Sequence, residues 1–265
     1  MKKIIFLLSL LTLSFGTQSA KAWGDWGHHI SAYIAEKHLT PKAKERCQHY
    51  LQHSLPHYSS WQDYWRYSPP FEAMHYWHQN FIDKDFNTIG HKGVISRDAI
   101  PQIERIVKEM GKGRYKKMND SLVTVNLKLL IHMISDIHCP SHVDYPKDAG
   151  FKGAPIYVKG KRFGRHHFWD DSPRLLHPKW KADNFVEACD TYDKKQIKRV
   201  CKGTPSDWAR ENAHNMVVTY DCWEKGDDLR KMPKEQVEVI DNLVNEQLRK
   251  GAYRLAAVLN NIFKN

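Results

Sequence analysis

The chain has 265 residues, with 41 Lys or Arg against 30 Asp or Glu and a formal charge of +11. At 41% hydrophobic and 27% charged, with 14 Gly and 12 Pro, it is neither a disordered nor a collagen-like sequence. Its 16 His and 9 Trp are the unusual counts. Beside the excess of base, they point to an anionic partner, to metal ligation, or to both.

In chain order, Met1 to Ala22 reads as a secretory signal peptide. Lys2 and Lys3 form a positive n-region, Ile4 to Phe15 an apolar stretch too short to span a bilayer, and Ala20-Lys21-Ala22 a cleavage site. Cleavage leaves 243 residues beginning at Trp23 and a net charge of +8. The mature protein is predicted to be soluble and exported, either periplasmic or secreted. Helices are predicted over His28 to Leu39, ending before Thr40-Pro41, and over Lys42 to Leu51. Arg97 to Met110 is a third, stopped by Gly111. Asn119-Asp120-Ser121 offers N-caps for a long helix to His138, stopped by Pro140. Ile156 to Phe163 suits a small hairpin, and Pro205 to Trp223 and Glu235 to Phe263 suit two final helices. The fold class is all-α, a single mostly helical domain with long loops. Basic loops at Gly111 to Lys117 and Lys147 to Arg165 suit a phosphate backbone or bare solvent. Of five cysteines, Cys189 and Cys201 close a short polar loop and are the preferred disulfide, while no CxxC spacing suggests a zinc finger.

On the long helix, Val125, Leu129, His132 and Asp136 share one inward face. An ionised Asp on such a face is costly unless it is paired or binds a metal. Alone, the HxxxD spacing is more simply a hydrogen-bonded pair in a polar core. It is not alone. His142 follows just past the Pro140 stop, and His166-His-Phe-Trp-Asp170 repeats the i, i+4 pairing. Upstream come Trp61-Gln-Asp63 and Met74-His75-Tyr76-Trp77-His78. Neutral imidazole with carboxylate suits zinc, and the surplus of ligands implies a multinuclear site. Trp23-Gly-Asp-Trp-Gly-His28 adds a histidine five residues after the mature α-amine. Once deprotonated, that amine and the Trp23 carbonyl can chelate a metal.

Taken in order, WGDWGHH, W-x-D-x-x-R, HMISDIHCPSH and H-x-x-W-D resemble the zinc-dependent single-strand-specific nucleases, relatives of bacterial zinc phospholipase C. The resemblance covers nearly all of the mature chain, residues 23–265. It implies a helical fold holding three zinc ions. Asp63, His75, His132 and Asp136 would hold the first, and His142, His166 and Asp170 the second. Trp23 and His28 would hold the third, with Asp136 bridging. Arg66 matches the arginine that contacts the scissile phosphate, and Asp63 orients the attacking water. Tyr76 fits the family's base-stacking aromatic, but His78 stands where an Asp hydrogen-bonds the base. His78 also competes with His75 as the ligand; motif fit favours His75. Gly164-Arg165 replaces the usual Asn-Leu, which makes Arg165 a further phosphate contact.

The implied function is hydrolysis of single-stranded DNA and RNA to 5′-phosphorylated products, with 3′-nucleotidase action, by a monomer that has no stable protein partner and no membrane anchor. The alternatives are a zinc phospholipase C, which needs an exposed apolar lip, and a non-enzymatic metal- or nucleic-acid-binding protein, which does not need Arg66.

Overall fold

The structure is a computed structural model that describes residues 23–144, 154–220 and 222–265, apart from the side chains of residues 217–220. The signal-peptide reading and part of the basic loop Lys147 to Arg165 lie outside the described residues. Ten helices account for most of the described residues: α1 Asp25–Lys37, α2 Pro41–Leu51, α3 Trp61–Trp65, α4 Ala99–Met110, α5 Asp120–Asp136, α6 Arg165–Leu176, α7 Ala182–Cys189, α8 Lys194–Val200, α9 Pro205–Tyr220 and α10 Lys234–Ile262. The all-α expectation holds.

Local chemistry sets most helix ends. Thr40 Oγ1 accepts from Ala43 N to start α2, with Pro41 at its first position. Asn119 Oδ1 accepts from Ser121 N at 2.9 Å to start α5. The apolar residues Ile103, Ile106 and Met110 turn one face of α4 into the core, and Gly111 ends it. From Leu129 to Asp136 every side chain of α5 is buried. Such a helix is surrounded on all sides, and α1, α2, α3, α4 and α10 do the surrounding. The 29-residue α10, about 43 Å long at 1.5 Å per residue, is the spine against which α1 and α5 pack. At Gly251 of α10 an added Cβ would sit 3.4 Å from the His138 side chain, so the spine packs tightly against the chain just beyond the end of α5.

Two short strand pairs hold the chain around the end of α5 and the start of α6. β1 (Asn80–Phe81) lies parallel to β2 (Val143–Asp144), in register Asn80↔Val143. This pairing ties the chain after His78 to the chain after His142. The predicted hairpin is present as β3 (Ile156–Val158) and β4 (Lys161–Phe163). Its Lys159-Gly160 turn has positive φ at both positions, as the twist of a two-residue hairpin requires. The hairpin delivers the chain through Gly164 into α6.

The predicted disulfide is corrected. Cys189 and Cys201 are free thiols, and no disulfide is present among the described residues. The segment between them is not a loop. It contains α8, opened by a reciprocal Asp193–Gln196 capping box. The two helix ends dock on α10 separately. Arg249 donates to the carbonyls of Ala188 and Cys189, and Arg254 donates to that of Val200. The Cys189 thiol donates to Asn245 Oδ1 instead.

Candidate metal centre

α1, α3 and the segments carrying His78 and His142 converge on Asp136, which is fully buried at the end of α5. Its two oxygens face different partners. Oδ2 lies 3.2 Å from His132 Nε2 and 3.1 Å from His78 Nδ1. Oδ1 lies 3.2 Å from His28 Nε2, on α1, and 3.7 Å from His142. Asp63 on α3 completes the first side, with Oδ1 3.7 Å from His78 Nδ1 and 3.8 Å from His132 Nε2. Arg66, 5% exposed, reaches the same Oδ1 at 3.4 Å. The second side is built on α6, where His166 Nε2 is 3.4 Å and His142 Nε2 3.7 Å from the Asp170 carboxylate.

Three triads have ligand atoms within 4.8 Å of one another: His28–Asp63–His132, His78–His132–Asp136 and Cys139–His142–Asp170. Groups behind them fix the rings. His132 Nδ1 donates to the Ser59 carbonyl at 2.7 Å, and His142 Nδ1 donates to that of His78. A carbonyl can only accept, so in both rings Nδ1 keeps its proton and Nε2 is the nitrogen turned to the cluster, able to ligate a cation once its own proton is displaced. The Gln62 carboxamide donates to the carbonyls of Met74 and Trp77, and lies 3.2 Å from His78 Nε2. That sets Nδ1 of His78 toward Asp136.

The electrostatics show a site short of positive charge. Burial opposes ionising Asp136, but His132, His142 and His28 outweigh it and hold the carboxyl well below its usual range. Burial likewise opposes charging His142, yet Asp136 and Asp170 raise it to about 9, and Asp136 and Asp63 raise His132 in the same way. For His78 burial wins and pushes it down to about 4; it also lowers His28, with help from His132. Protons on two histidines thus offset buried carboxylates. Divalent cations meet the same demand and displace such protons.

Unpaired atoms test the fit to metals. His28 Nδ1 and Nε2, both Asp63 oxygens, Asp136 Oδ1, His142 Nε2 and Asp170 Oδ2 are buried and make no hydrogen bond. Buried polar groups rarely go without a hydrogen bond, and these seven atoms all lie on the His and Asp side chains gathered around Asp136 and Asp170. The donor set fits metal ions.

The structure brings together Asp63, Arg66, His28, His132, Asp136, His142, His166 and Asp170. It does not bring His75. That side chain is exposed, packed between Tyr67 and Tyr76, whereas His78 is 4% exposed and sits on Asp136. His75, on the short 3-10 turn Glu72–Tyr76, lines the cleft above the cluster, and His78 lies two residues before the β1–β2 pairing. The structure thus places His78, and not His75, beside Asp136. Trp23 is fully buried, its ring so close over Gly27 that a Cβ there would lie 2.9 Å from it, and Gly24 N donates to the Asp170 carbonyl at 2.8 Å. The start of the described chain is therefore seated beside the second side of the cluster.

A cleft of about 460 Å³ opens over the cluster. Arg66, His78, His142 and His166 form its floor, and Tyr67, Tyr76, Phe81 and His91 its aromatic walls. Tyr76 is thus placed on a wall, with Arg97 4.9 Å from its ring. Arg165 stands at the first turn of α6, outside the cleft lining.

Two buried groups with no role in the sequence reading, Cys139 and Ser141, stand behind Asp170. Ser141 Oγ donates to Asp170 Oδ1 at 3.0 Å and the Cys139 thiol lies 3.7 Å from the same atom. Burial and Asp170 raise the Cys139 pKa well above the usual range, so it stands as a thiol donor. Asn212 of α9 donates to the carbonyls of Ile137 and Cys139, fixing the turn between Asp136 and His142. Only the spacing of Cys139 and Ser141 to His142 hinted at any of this.

Residues 23–264 match the S1/P1 Nuclease family. The chain is 28% identical over 214 residues to Nuclease S1 of Aspergillus oryzae, covering 75% of this chain and 68% of that protein. It is 22% identical over 302 residues to Endonuclease 2 of Arabidopsis thaliana, covering 98% of this chain and 97% of that protein. With this match spanning α1 to α10 and the buried His/Asp cluster at its centre, the chain belongs to the S1/P1 nuclease family.

Proposed function

We propose that this chain is an exported, zinc-dependent phosphodiesterase that cleaves single-stranded DNA and RNA to 5′-phosphorylated products, with 3′-nucleotidase action at the same site. The observation that carries the reading is the set of unpaired buried ligand atoms lying beneath a cleft whose floor includes Arg66. Asp63, His78, His132 and Asp136 are assigned to a first zinc, and His142, His166 and Asp170 to a second. His28, Asp136 and the amine and carbonyl of Trp23 are assigned to a third. Family membership and the imidazole–carboxylate donor set support zinc. Zinc in such sites supplies hydroxide at neutral pH and neutralises phosphate charge.

The chain's own residues do the rest. Arg66 offers a planar fork of donors to the equatorial phosphate oxygens, where negative charge develops. Asp63 holds Arg66 at 3.4 Å and directs an acceptor oxygen at the attacking water. Asp136, with Oδ1 toward His28 and Oδ2 toward His78, would supply the negative charge that holds neighbouring cations together. Tyr76 and Phe81 present rings to an unpaired base, which in a duplex is already stacked. Trp23 acquires a free α-amine only when Met1 to Ala22 is removed, so export and completion of the third site are one event.

The test uses the protein beginning at Trp23. It is offered single-stranded DNA, single-stranded RNA, the matching duplexes and phosphatidylcholine vesicles, with and without a chelator. Chelator-sensitive cleavage of the single strands to 5′-phosphate ends is expected. Cleavage of lipid alone refutes the reading. The phospholipase reading has one observation in its favour, an exposed apolar rim on the cleft, and the vesicles address it directly.

A further inference from the structure

Most basic side chains along α10 are paired. Arg249 and Lys250 meet Glu246, and Lys250 and Arg254 meet Glu211. The segment from Lys194 to Lys202, which packs on α10, is different. Its sequence, Lys-Lys-Gln-Ile-Lys-Arg-Val-Cys-Lys, holds five cations and no acid. All five are exposed, and none forms an ion pair among the described residues.

Lys195, Lys198, Arg199 and Lys202 are spaced three and four residues apart, which puts them on one helical face. Together they line a groove of about 450 Å³ that shares no residue with the lining of the metal cleft. Asp193, the one acid of the groove, is committed as the N-cap of α8, where its Oδ1 accepts from Gln196 N at 2.7 Å. Like charges at this spacing weaken a helix, and the stripe gives the fold nothing in return, since no residue of α8 is buried. The backbone is what anchors the segment. Arg254 donates to the Val200 carbonyl, and Trp208 Nε1 donates to that of Lys202 at 2.8 Å. The cations therefore stand on a fixed platform.

We propose that this groove is a second nucleic-acid contact, a site for the phosphate backbone that holds a part of the strand remote from the cleft. The inference takes its partner from the nuclease reading. A row of unpaired cations matches a row of phosphates. No aromatic side chain lines the groove, so nothing there reads or stacks on a base, and single and double strands should bind alike. An anionic membrane carries the same charge. Yet none of the exposed large apolar side chains belongs to residues 190–204, so the surface lacks the apolar anchors of a membrane contact. Reach is no obstacle. A fold of 243 residues has a radius of gyration of about 18 Å and is about 45 Å across. A strand of thirty nucleotides, at about 3.4 Å each, extends about 100 Å.

The test uses the zinc-loaded protein beginning at Trp23 and the fourfold variant Lys195→Gln, Lys198→Gln, Arg199→Gln, Lys202→Gln. Rates on a dinucleotide and on a thirty-nucleotide single strand are measured from about 50 to about 200 mM NaCl. At about 0.7 per phosphate contact, four lost contacts should make the variant's log–log salt slope on the long strand shallower by about 2.8, so its deficit against wild type shrinks about fiftyfold over that range. The change should lie in KM, with kcat and the dinucleotide rates unaltered. Binding of a thirty-base-pair duplex, read by fluorescence anisotropy, should weaken in parallel. Replacing the three lysines by arginine should keep the wild-type slope. Circular dichroism and zinc content show whether the fourfold variant is folded; if it is not, Lys195→Gln with Lys202→Gln reads the same slope at about half the change. An unchanged slope overturns the proposal, and so do equal losses on dinucleotide and long strand. Loss of binding to phosphatidylserine vesicles with both nucleic-acid readouts intact overturns it in favour of a membrane contact. If the wild type cleaves neither substrate, the nuclease reading has failed, and duplex binding still decides the groove.

Discussion

Replacing His78 and His75 in turn separates two histidines only three residues apart. His78 is buried beside Asp136 at 3.1 Å, with Asp63 at 3.7 Å. Burial holds its pKa to about 4, so at pH 7 the ring is neutral and ready to bind a metal without first losing a proton. His78→Ala removes one of four proposed ligands of the first zinc. Loss of a mere outer-shell partner weakens a metal site about 10–100-fold, so this loss should exceed that range. At a free zinc concentration that fills the wild type, the variant should hold one zinc fewer and lose at least a hundredfold in kcat. His75→Ala removes a cleft-lining side chain in ring contact with Tyr67 and Tyr76, at 4.9 and 5.0 Å between centroids, but touches no carboxylate of the cluster among the described contacts. It should keep the full zinc complement and lose less than about tenfold, the effect of about 1.4 kcal/mol. Zinc per chain is read by atomic emission after dialysis against a buffered zinc pool, and kcat on single-stranded DNA. Full zinc in His78→Ala together with lost zinc in His75→Ala refutes the assignment.

Other outcomes rest on the same geometry. Arg66→Ala should lower kcat about 10²–10³-fold with zinc content intact, as for loss of one preorganised donor; a change in KM alone counts against its role at the phosphate. Gly27→Ala places a Cβ 2.9–3.1 Å from the Trp23 side chain, and such overpacking costs about 1–3 kcal/mol. A lower Tm and weakened binding of one zinc should result, and a variant with both unchanged shows that the Trp23 seat is not needed. A residue added before Trp23 should remove one zinc from an otherwise folded protein, checked by metal analysis; full zinc in that protein rules the amine out as a ligand. Asp98 is buried, and desolvation raises its pKa to about 6 against the opposing pull of the Phe81 and His91 N–H groups. Its raised folded value means that the carboxyl favours the folded state below about pH 3.8 and loses that contribution as pH rises to 6. The wild-type advantage over Asp98→Asn should therefore shrink by about 3 kcal/mol across that window. Urea unfolding curves that stay parallel at every pH refute this.

The helices with strong local signals are legible in the sequence. α2, α4, α5 and α10 carry caps or stops and a clear apolar face, and each lies within a few residues of its predicted span. α8 is not, because Lys194–Val200 has no buried residue and so no apolar stripe to detect, and α7 is only eight residues long. What holds that segment is Arg249 and Arg254 on a helix some 50 residues later. The same blindness produced the disulfide between Cys189 and Cys201. Spacing suggests proximity, but it carries nothing about a helix end clamped by a distant arginine.

The site shows where such reading stops. His132 with Asp136 and His166 with Asp170 are i, i+4 pairs, so helix geometry alone places each pair on one face, and both are in the cluster. His75 and His78 have no such rule between them. Their fates are decided by a two-residue parallel pairing, Asn80↔Val143, which no periodicity announces. That pairing also explains why His142 and His78 stand together, since His142 Nδ1 closes on the His78 carbonyl as the strands meet. The cluster is therefore assembled from two sorts of contact. Local helical spacing supplies ligand pairs on α5 and α6, and one long-range bridge with the seat of α1 on α5 and α10 sets those pairs around Asp136. A substitution in the bridge, far milder to the eye than loss of a histidine, should act on both sides of Asp136 at once, because the single carboxylate faces His78 with one oxygen and His142 with the other.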